Sequence, residues 1–111
     1  MDTKEFHEAA KAGDLNKVKE FIANGGDVNT TIDDAGTTAL MYAAANGKKD
    51  CVTTLIAAGA NVNAHTRISG LPANLGLTAL ILARNSPGRN GSDKADYEDI
   101  MTALIAAGAM K

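Results

Sequence analysis

The sequence is poor in the residues that form disulfide bonds, large aromatic cores and membrane spans. Cys51 is the single cysteine, so an internal disulfide is impossible and a reducing, cytoplasmic compartment is predicted. Tryptophan is absent and aromatic residues make up only 4% of the chain, so we expect a core of alanine, leucine, isoleucine and valine. No apolar run approaches the roughly 20 residues that a membrane-spanning helix needs, and the polar residues 2–5 predict no signal peptide.

Clusters of lysine and arginine are also missing. The 11 basic and 13 acidic residues give a formal net charge of −2 at pH 7. Because nucleic-acid phosphates are bound mainly by basic patches, the sequence predicts no nucleic-acid partner. The length of 111 residues and the hydrophobic share of 45% are typical of one folded domain.

Residue patterns that support catalysis or metal binding are not found either. His7 and His65 lie far apart in the chain, and neither has a cysteine or histidine at metal-ligand spacing. The acidic stretch 93–99 lacks the alternating oxygen ligands and the glycine of a calcium loop. Cys51 is interpreted as a buried, unreactive thiol, and His65 as a solvated turn residue, with a binding contact as the alternative. We therefore predict that the protein is not an enzyme and has no catalytic, cofactor-binding or metal site.

Residues 33–64 have the pattern of a turn, two short helices and a glycine stop. Gly36 gives the turn conformational freedom, and the Thr38 hydroxyl can cap the first helix. Apolar residues recur at helical spacing on both sides of Gly47, and Gly59 is expected to end the second helix in the left-handed conformation. Two helices of about three turns cannot bury a core by themselves, so this unit needs neighbours built like itself.

The same pattern recurs on both sides of this unit. Upstream, ANGGDVN at residues 23–29 echoes AAGANVN at residues 57–63, and downstream residues 104–109 repeat residues 55–60 letter for letter. Self-similarity with a period near 33 residues is typical of a stacked helical solenoid.

The sequence resembles the ankyrin repeat family over essentially the whole chain. The resemblance is carried by G-x-T-x-L-x-x-A-A-x-x-G from Gly36 and by L-I-A-A-G-A-x-V-N from Leu55. The family's Thr-Pro-Leu-His is replaced by Thr-Ala-Leu-Met at residues 38–41, and His7 alone stands at the histidine position. The resemblance implies an all-α fold, an ankyrin-type helical solenoid of three stacked helix–turn–helix repeats. We predict a single ankyrin repeat domain over residues 1–111, with repeats at about 1–32, 33–66 and 67–111.

The terminal repeats carry two further expectations. In the first repeat we predict a helix at about Thr3–Ala12 that exposes His7, Glu8 and Lys11, followed by a helix capped by Asp14. The third repeat has two insertions, one of about seven residues within 67–74 and one of nine residues around 86–92. Shortening residues 68–74 is expected to weaken partner binding, and shortening residues 87–92 to alter stability or association; the alternative is that both are tolerated surface loops.

Members of this family generally bind other proteins through a concave surface of turn tips and first helices. The resemblance therefore implies a non-enzymatic protein–protein interaction module whose partner is another protein, with no cofactor. Tyr42 is a candidate aromatic anchor on this surface. The predicted partner-binding residues belong to the turn tips and first helices of the second and third repeats, including the first insertion: Asp34, Ala35, Thr37, Tyr42, Ala45, Asn46, Arg67, Ile68, Leu71, Asn74, Leu75 and Leu77.

A structural role is the alternative function. The chain would then be a repeat fragment or cap that self-associates or packs on further repeats. Several residues of the third repeat are apolar although no fourth repeat covers them, so some must face outward unless another segment covers them: Ile81, Leu82, Met101 and Met110. We expect the insertions or a second copy to cover this end, which predicts a monomer or a weak homodimer through the C-terminal repeat.

Overall fold

The computed structural model describes residues 3–31, 36–66, 78–84 and 94–108. The described residues form six helices: α1 (Thr3–Ala12), α2 (Leu15–Ala23), α3 (Ala39–Ala45), α4 (Lys49–Ala57), α5 (Ala79–Arg84) and α6 (Lys94–Ala106). Two isolated β-bridges, Thr31 with Thr38 and His65 with Thr78, link the turns. The predicted all-α repeat solenoid is confirmed, and α1 has the predicted bounds.

The helices pack in two layers. One layer consists of the first helices of the repeats, in which α3 packs between α1 and α5. The other layer consists of the second helices, in which α4 packs between α2 and α6. The apolar core lies between the layers and is built largely of aliphatic residues and alanines. Because α3 and α4 have a helix on both sides, the central repeat is covered twice.

Local caps define where the helices begin. The carboxylate of Asp14 accepts a hydrogen bond of 3.3 Å from the Lys17 amide at the start of α2, as predicted. The Thr38 hydroxyl accepts one from the Met41 amide at the start of α3. The Met41 sulfur lies 3.5 Å from the Thr38 amide, so methionine completes the reciprocal cap that glutamate or glutamine usually forms.

The structure corrects the prediction that His7 is exposed, because its side chain is only 1% accessible to solvent. Nδ1 lies 2.7 Å from the carbonyl oxygen of Thr3, and Nε2 lies 3.1 Å from that of Thr30. The turn before the second repeat therefore supplies a hydrogen-bonding partner that makes burial of this polar ring possible.

Side chains also connect the repeats at the ends of the second helices. The Asn29 amide group donates to the carbonyl of Gly59 at 3.3 Å and accepts from the Asn61 backbone amide at 2.6 Å. Asn63, at the equivalent position one repeat later, donates to the carbonyl of Gly108 at 3.1 Å. A further hydrogen bond joins the two layers: the Tyr97 hydroxyl of α6 donates to the carbonyl of Ala45 at the end of α3, at 3.0 Å.

Replacing Gly59 by valine is expected to lower the free energy of unfolding by about 1–2 kcal/mol. Gly59 has a φ of +95°, and a Cβ atom there would meet no atom within 4 Å. The cost therefore comes from backbone strain alone. Gly59→Asn is the matched control, because asparagine tolerates the left-handed region better than a β-branched residue. Urea denaturation measures both variants, and equal stability of the valine variant and the parent would contradict the assigned conformation.

Cys51 is expected to make the protein less stable above about pH 9. Burial of the thiol, together with the negative charges of Asp50 and Asp14, raises its pKa above the ordinary value of 9.0, while Lys48 acts in the opposite direction. As the pH rises, the thiol of the unfolded chain loses its proton before the thiol of the folded protein does. The free energy of unfolding therefore falls as the pH increases from about 9 toward the pKa of the folded thiol. Midpoints of urea denaturation between pH 7 and 10 measure this decrease in stability. The decrease should be smaller in Cys51→Ala, which has no thiol at this position. If the urea midpoint of Cys51→Ala depended on pH in the same way as that of the parent, the assignment of this effect to Cys51 would be contradicted.

Candidate binding surface

The surface formed by α1, α3 and α5, here named the first-helix face, holds the predicted contact residues that the structure describes: Thr37, Tyr42, Ala45 and Asn46. Asn46 is exposed at the end of α3 and donates a 2.8 Å hydrogen bond to the carbonyl of Tyr42. The remaining predicted contacts lie outside the described residues: Asp34, Ala35, Arg67, Ile68, Leu71, Asn74, Leu75 and Leu77. Both insertions of the third repeat and Met110 also lie outside them.

A cavity of about 250 Å³ lies between α3 and α5 on this face, and we name it the apolar cavity. It is lined by Thr37, Met41, Tyr42, Ala45, Thr66 and Leu82. The structure thus brings together Thr37, Tyr42 and Ala45, which the sequence predicted as partner contacts. Leu82 also lines the cavity but was not among the predicted contacts, although it occupies the position in the third repeat that Tyr42 occupies in the second.

A second cavity of about 150 Å³, here the polar cavity, lies on the other side of Tyr42. It is lined by His7, Glu8, Lys11 and Tyr42. The rings of His7 and Tyr42 meet edge to face, with centroids 5.9 Å apart. Because the His7 ring is itself buried and hydrogen-bonded, this contact holds Tyr42 at the boundary between the two cavities.

The chemistry of the first-helix face changes from one repeat to the next. Glu8, Tyr42 and Leu82 occupy equivalent positions, so the face is charged on α1 and apolar on α3 and α5. Glu8 and Lys11 are exposed, and within the described ranges neither forms an ion pair. In the other layer, Lys49 of α4 forms ion pairs with Asp96 and Asp99 of α6, at 3.8 and 3.5 Å.

Two other types of site are not supported by the geometry of the described residues. Among the described side chains, no group of three or more histidine, cysteine, aspartate or glutamate residues is placed to hold a metal ion. In the same ranges, none of the helices combines the length and apolar character required to cross a membrane.

Comparison with known proteins agrees with the repeat architecture. The family profile described as "Ankyrin repeats (3 copies)" matches residues 6–110. The chain is 47% identical over 61 residues to myotrophin of Xenopus tropicalis, which covers 55% of this chain and 51% of the relative. It is 46% identical over 55 residues to the putative ankyrin repeat protein YahD of Escherichia coli K12, or 50% of this chain and 27% of the relative.

Human myotrophin is 48% identical over 48 residues, which is 43% of this chain and 40% of the relative. The chain thus spans about half or less of the length of these three relatives. The profile, in contrast, extends over nearly the whole sequence and over all three helix pairs, and on this basis the chain belongs to the ankyrin repeat family.

Proposed function

We propose that this protein is a non-enzymatic interaction module that binds a segment of another protein on the first-helix face, with Tyr42 as the central anchor. The observation that carries the proposal is the position of Tyr42, whose side chain lines both the apolar and the polar cavity. Thr37 and Ala45 line the apolar cavity beside it, and Asn46 extends the contact. The predicted contacts of the turn tips and of the insertion at 67–74 belong to the same proposal.

The energetics of protein interfaces support an anchor of this kind. Tyrosine presents a large, rigid contact area with a polar tip, and residues that dominate binding energies are enriched in tyrosine, tryptophan and arginine. Tyr42 is half-buried in the free protein, so part of its side chain is already ordered before a partner arrives. Less conformational entropy is then lost on binding.

Parallel affinity purification with the wild-type protein and Tyr42→Ala tests this proposal. We expect proteins that the wild type captures to bind the variant at least about tenfold more weakly, as for other central interface residues. Glu20→Ala, a substitution of an exposed residue on α2 in the other layer, is the matched control and should bind like the wild type. Thermal melts establish that each variant is folded. Equal capture by folded Tyr42→Ala would contradict the proposed anchor.

Self-association through the third repeat is a second candidate function. Ile105 on α6 is 43% exposed and is the one large hydrophobic residue that is exposed among the described residues. Sedimentation over a range of protein concentrations tests it: a dimer that Ile105→Glu disrupts would support this candidate. A concentration-independent monomer would exclude it.

A further inference from the structure

We propose, building on the proposed function, that the partner segment carries a large apolar side chain and a basic side chain about four residues from it. The apolar side chain enters the apolar cavity between α3 and α5. The basic side chain lies over α1 and pairs with the carboxylate of Glu8.

The size and walls of the apolar cavity indicate why the partner segment should carry a large apolar side chain. Met41, Tyr42, Ala45 and Leu82 supply apolar atoms, and the cavity measures about 250 Å³. An apolar protein cavity of about 150 Å³ already accommodates benzene, so this one is large enough for a leucine, methionine or phenylalanine side chain. Burying such a side chain contributes favourably because apolar surface is removed from water on both partners.

The charges on and near α1 indicate why the partner segment should carry a basic side chain. Glu8 lines the polar cavity and also a neighbouring cavity, of about 180 Å³, whose other charged residues are Glu5, Asp14 and Lys17. Three carboxylates and two ammonium groups, including that of Lys11, therefore surround the two cavities. Asp14 is already engaged in the α2 cap, whereas Glu8 is exposed and has no ion pair within the described ranges. Its carboxylate is thus available to a cation from the partner.

The direction of α1 also favours a cation over an anion at this position. Lys11 lies in the last turn of α1, where the carbonyl groups of a helix carry partial negative charge. A carboxylate from the partner that approached Lys11 would meet this negative end and the nearby Glu8. A lysine or arginine from the partner that approached Glu8 meets the full negative charge of that carboxylate, and the negative helix end reduces its repulsion from Lys11.

The packing of the helices sets the distance between the apolar and the basic side chain of the partner segment. Neighbouring packed helices lie about 8–10 Å apart, and the apolar cavity lies between α3 and α5. The distance from this cavity to α1 is therefore about one and a half helix spacings, or roughly 12–15 Å. An extended peptide advances about 3.3 Å per residue, so about four residues separate the basic side chain from the apolar one.

Selection from a display library of random 12-residue peptides tests the proposal and does not require the partner to be identified. We expect peptides selected on the wild-type protein to share a large apolar residue and a lysine or arginine about four positions away. Selection on Glu8→Lys should keep the apolar residue and lose the basic preference. Glu20→Lys, with the same charge change on the other layer, should give the wild-type pattern. A synthetic wild-type-selected peptide should bind Glu8→Lys about fivefold more weakly at low salt, and the difference should narrow as salt is raised.

The outcomes separate this inference from the proposed function. A basic preference that is absent on the wild type, or that persists on Glu8→Lys, overturns the inference and leaves the proposed function in place. Tyr42→Ala and the cavity-filling Ala45→Leu should both weaken the selected peptides. If folded forms of both variants bind them as tightly as the wild type, or if no peptide is enriched, the proposed function fails as well.

Discussion

Replacing Leu55 by alanine is expected to lower the free energy of unfolding by about 2–5 kcal/mol. Leu55 is 0% exposed on α4, and α4 contacts α2, α3 and α6. Neighbouring elements on several sides limit collapse around the missing atoms, so the substitution loses both transfer energy and packing contacts. Since domains of this size are stable by only about 5–15 kcal/mol, the loss is a large fraction of the total.

Urea denaturation followed by circular dichroism measures the loss. Ile105→Ala is the matched control, because Ile105 is a similar aliphatic residue that is 43% exposed. The control should change the unfolding free energy by about 0.5 kcal/mol or less, as surface substitutions usually do. If Leu55→Ala and Ile105→Ala unfold at the same urea concentration, the assigned core is wrong.

Replacing Gly26 by alanine is expected to cost about 1–3 kcal/mol through overpacking. A Cβ atom at this position would lie 2.3–2.5 Å from three carbon atoms of the Phe21 ring. That ring has little room to move away, since it stacks on the ring of Phe6 with centroids 3.9 Å apart and planes 12° from parallel. Either the phenylalanine pair, which belongs to the core of the first repeat, or the turn after α2 must therefore shift.

A double-mutant cycle distinguishes this clash from a backbone effect. Gly26→Ala should cost less in a Phe21→Leu background, because the smaller side chain leaves room for the added methyl group. Gly25→Ala is the control for backbone strain, since Gly25 has a φ of +81° and its Cβ would meet no atom within 4 Å. Additive effects of Gly26→Ala and Phe21→Leu on the unfolding free energy would contradict the proposed clash.

The sequence predicted the features that local chemistry determines. The bounds of α1 and the Asp14 and Thr38 caps follow from helical periodicity and from side chains that accept hydrogen bonds from nearby amides. The left-handed Gly59 was predicted in the same way, since glycine at the end of a helix has a direct backbone reason. The fold itself followed because each repeat shows the same pattern and none can be stable alone.

The features that sequence reasoning missed depend on contacts between residues that are distant in sequence. His7 was placed on an exposed terminal face, yet its Nε2 lies against the carbonyl oxygen of Thr30, which is 23 residues away in sequence. The apolar cavity joins Tyr42 and Ala45 to Leu82 and Thr66, and its shape depends on how α5 lies against α3. Periodicity shows which residues share a face of one helix, whereas the space between two helices depends on their relative position.

The hydrogen bond from Tyr97 to the Ala45 carbonyl joins the first-helix face to α6. Ala45 forms part of the apolar cavity, and the same residue anchors α6 through its backbone. Local opening of the third repeat therefore disturbs one wall of the cavity. A partner that binds only the intact cavity raises the free energy of that opening by mass action. Occupancy of the first-helix face is thereby linked to amide exchange in α6, on the opposite layer of the molecule, through this locally open state alone.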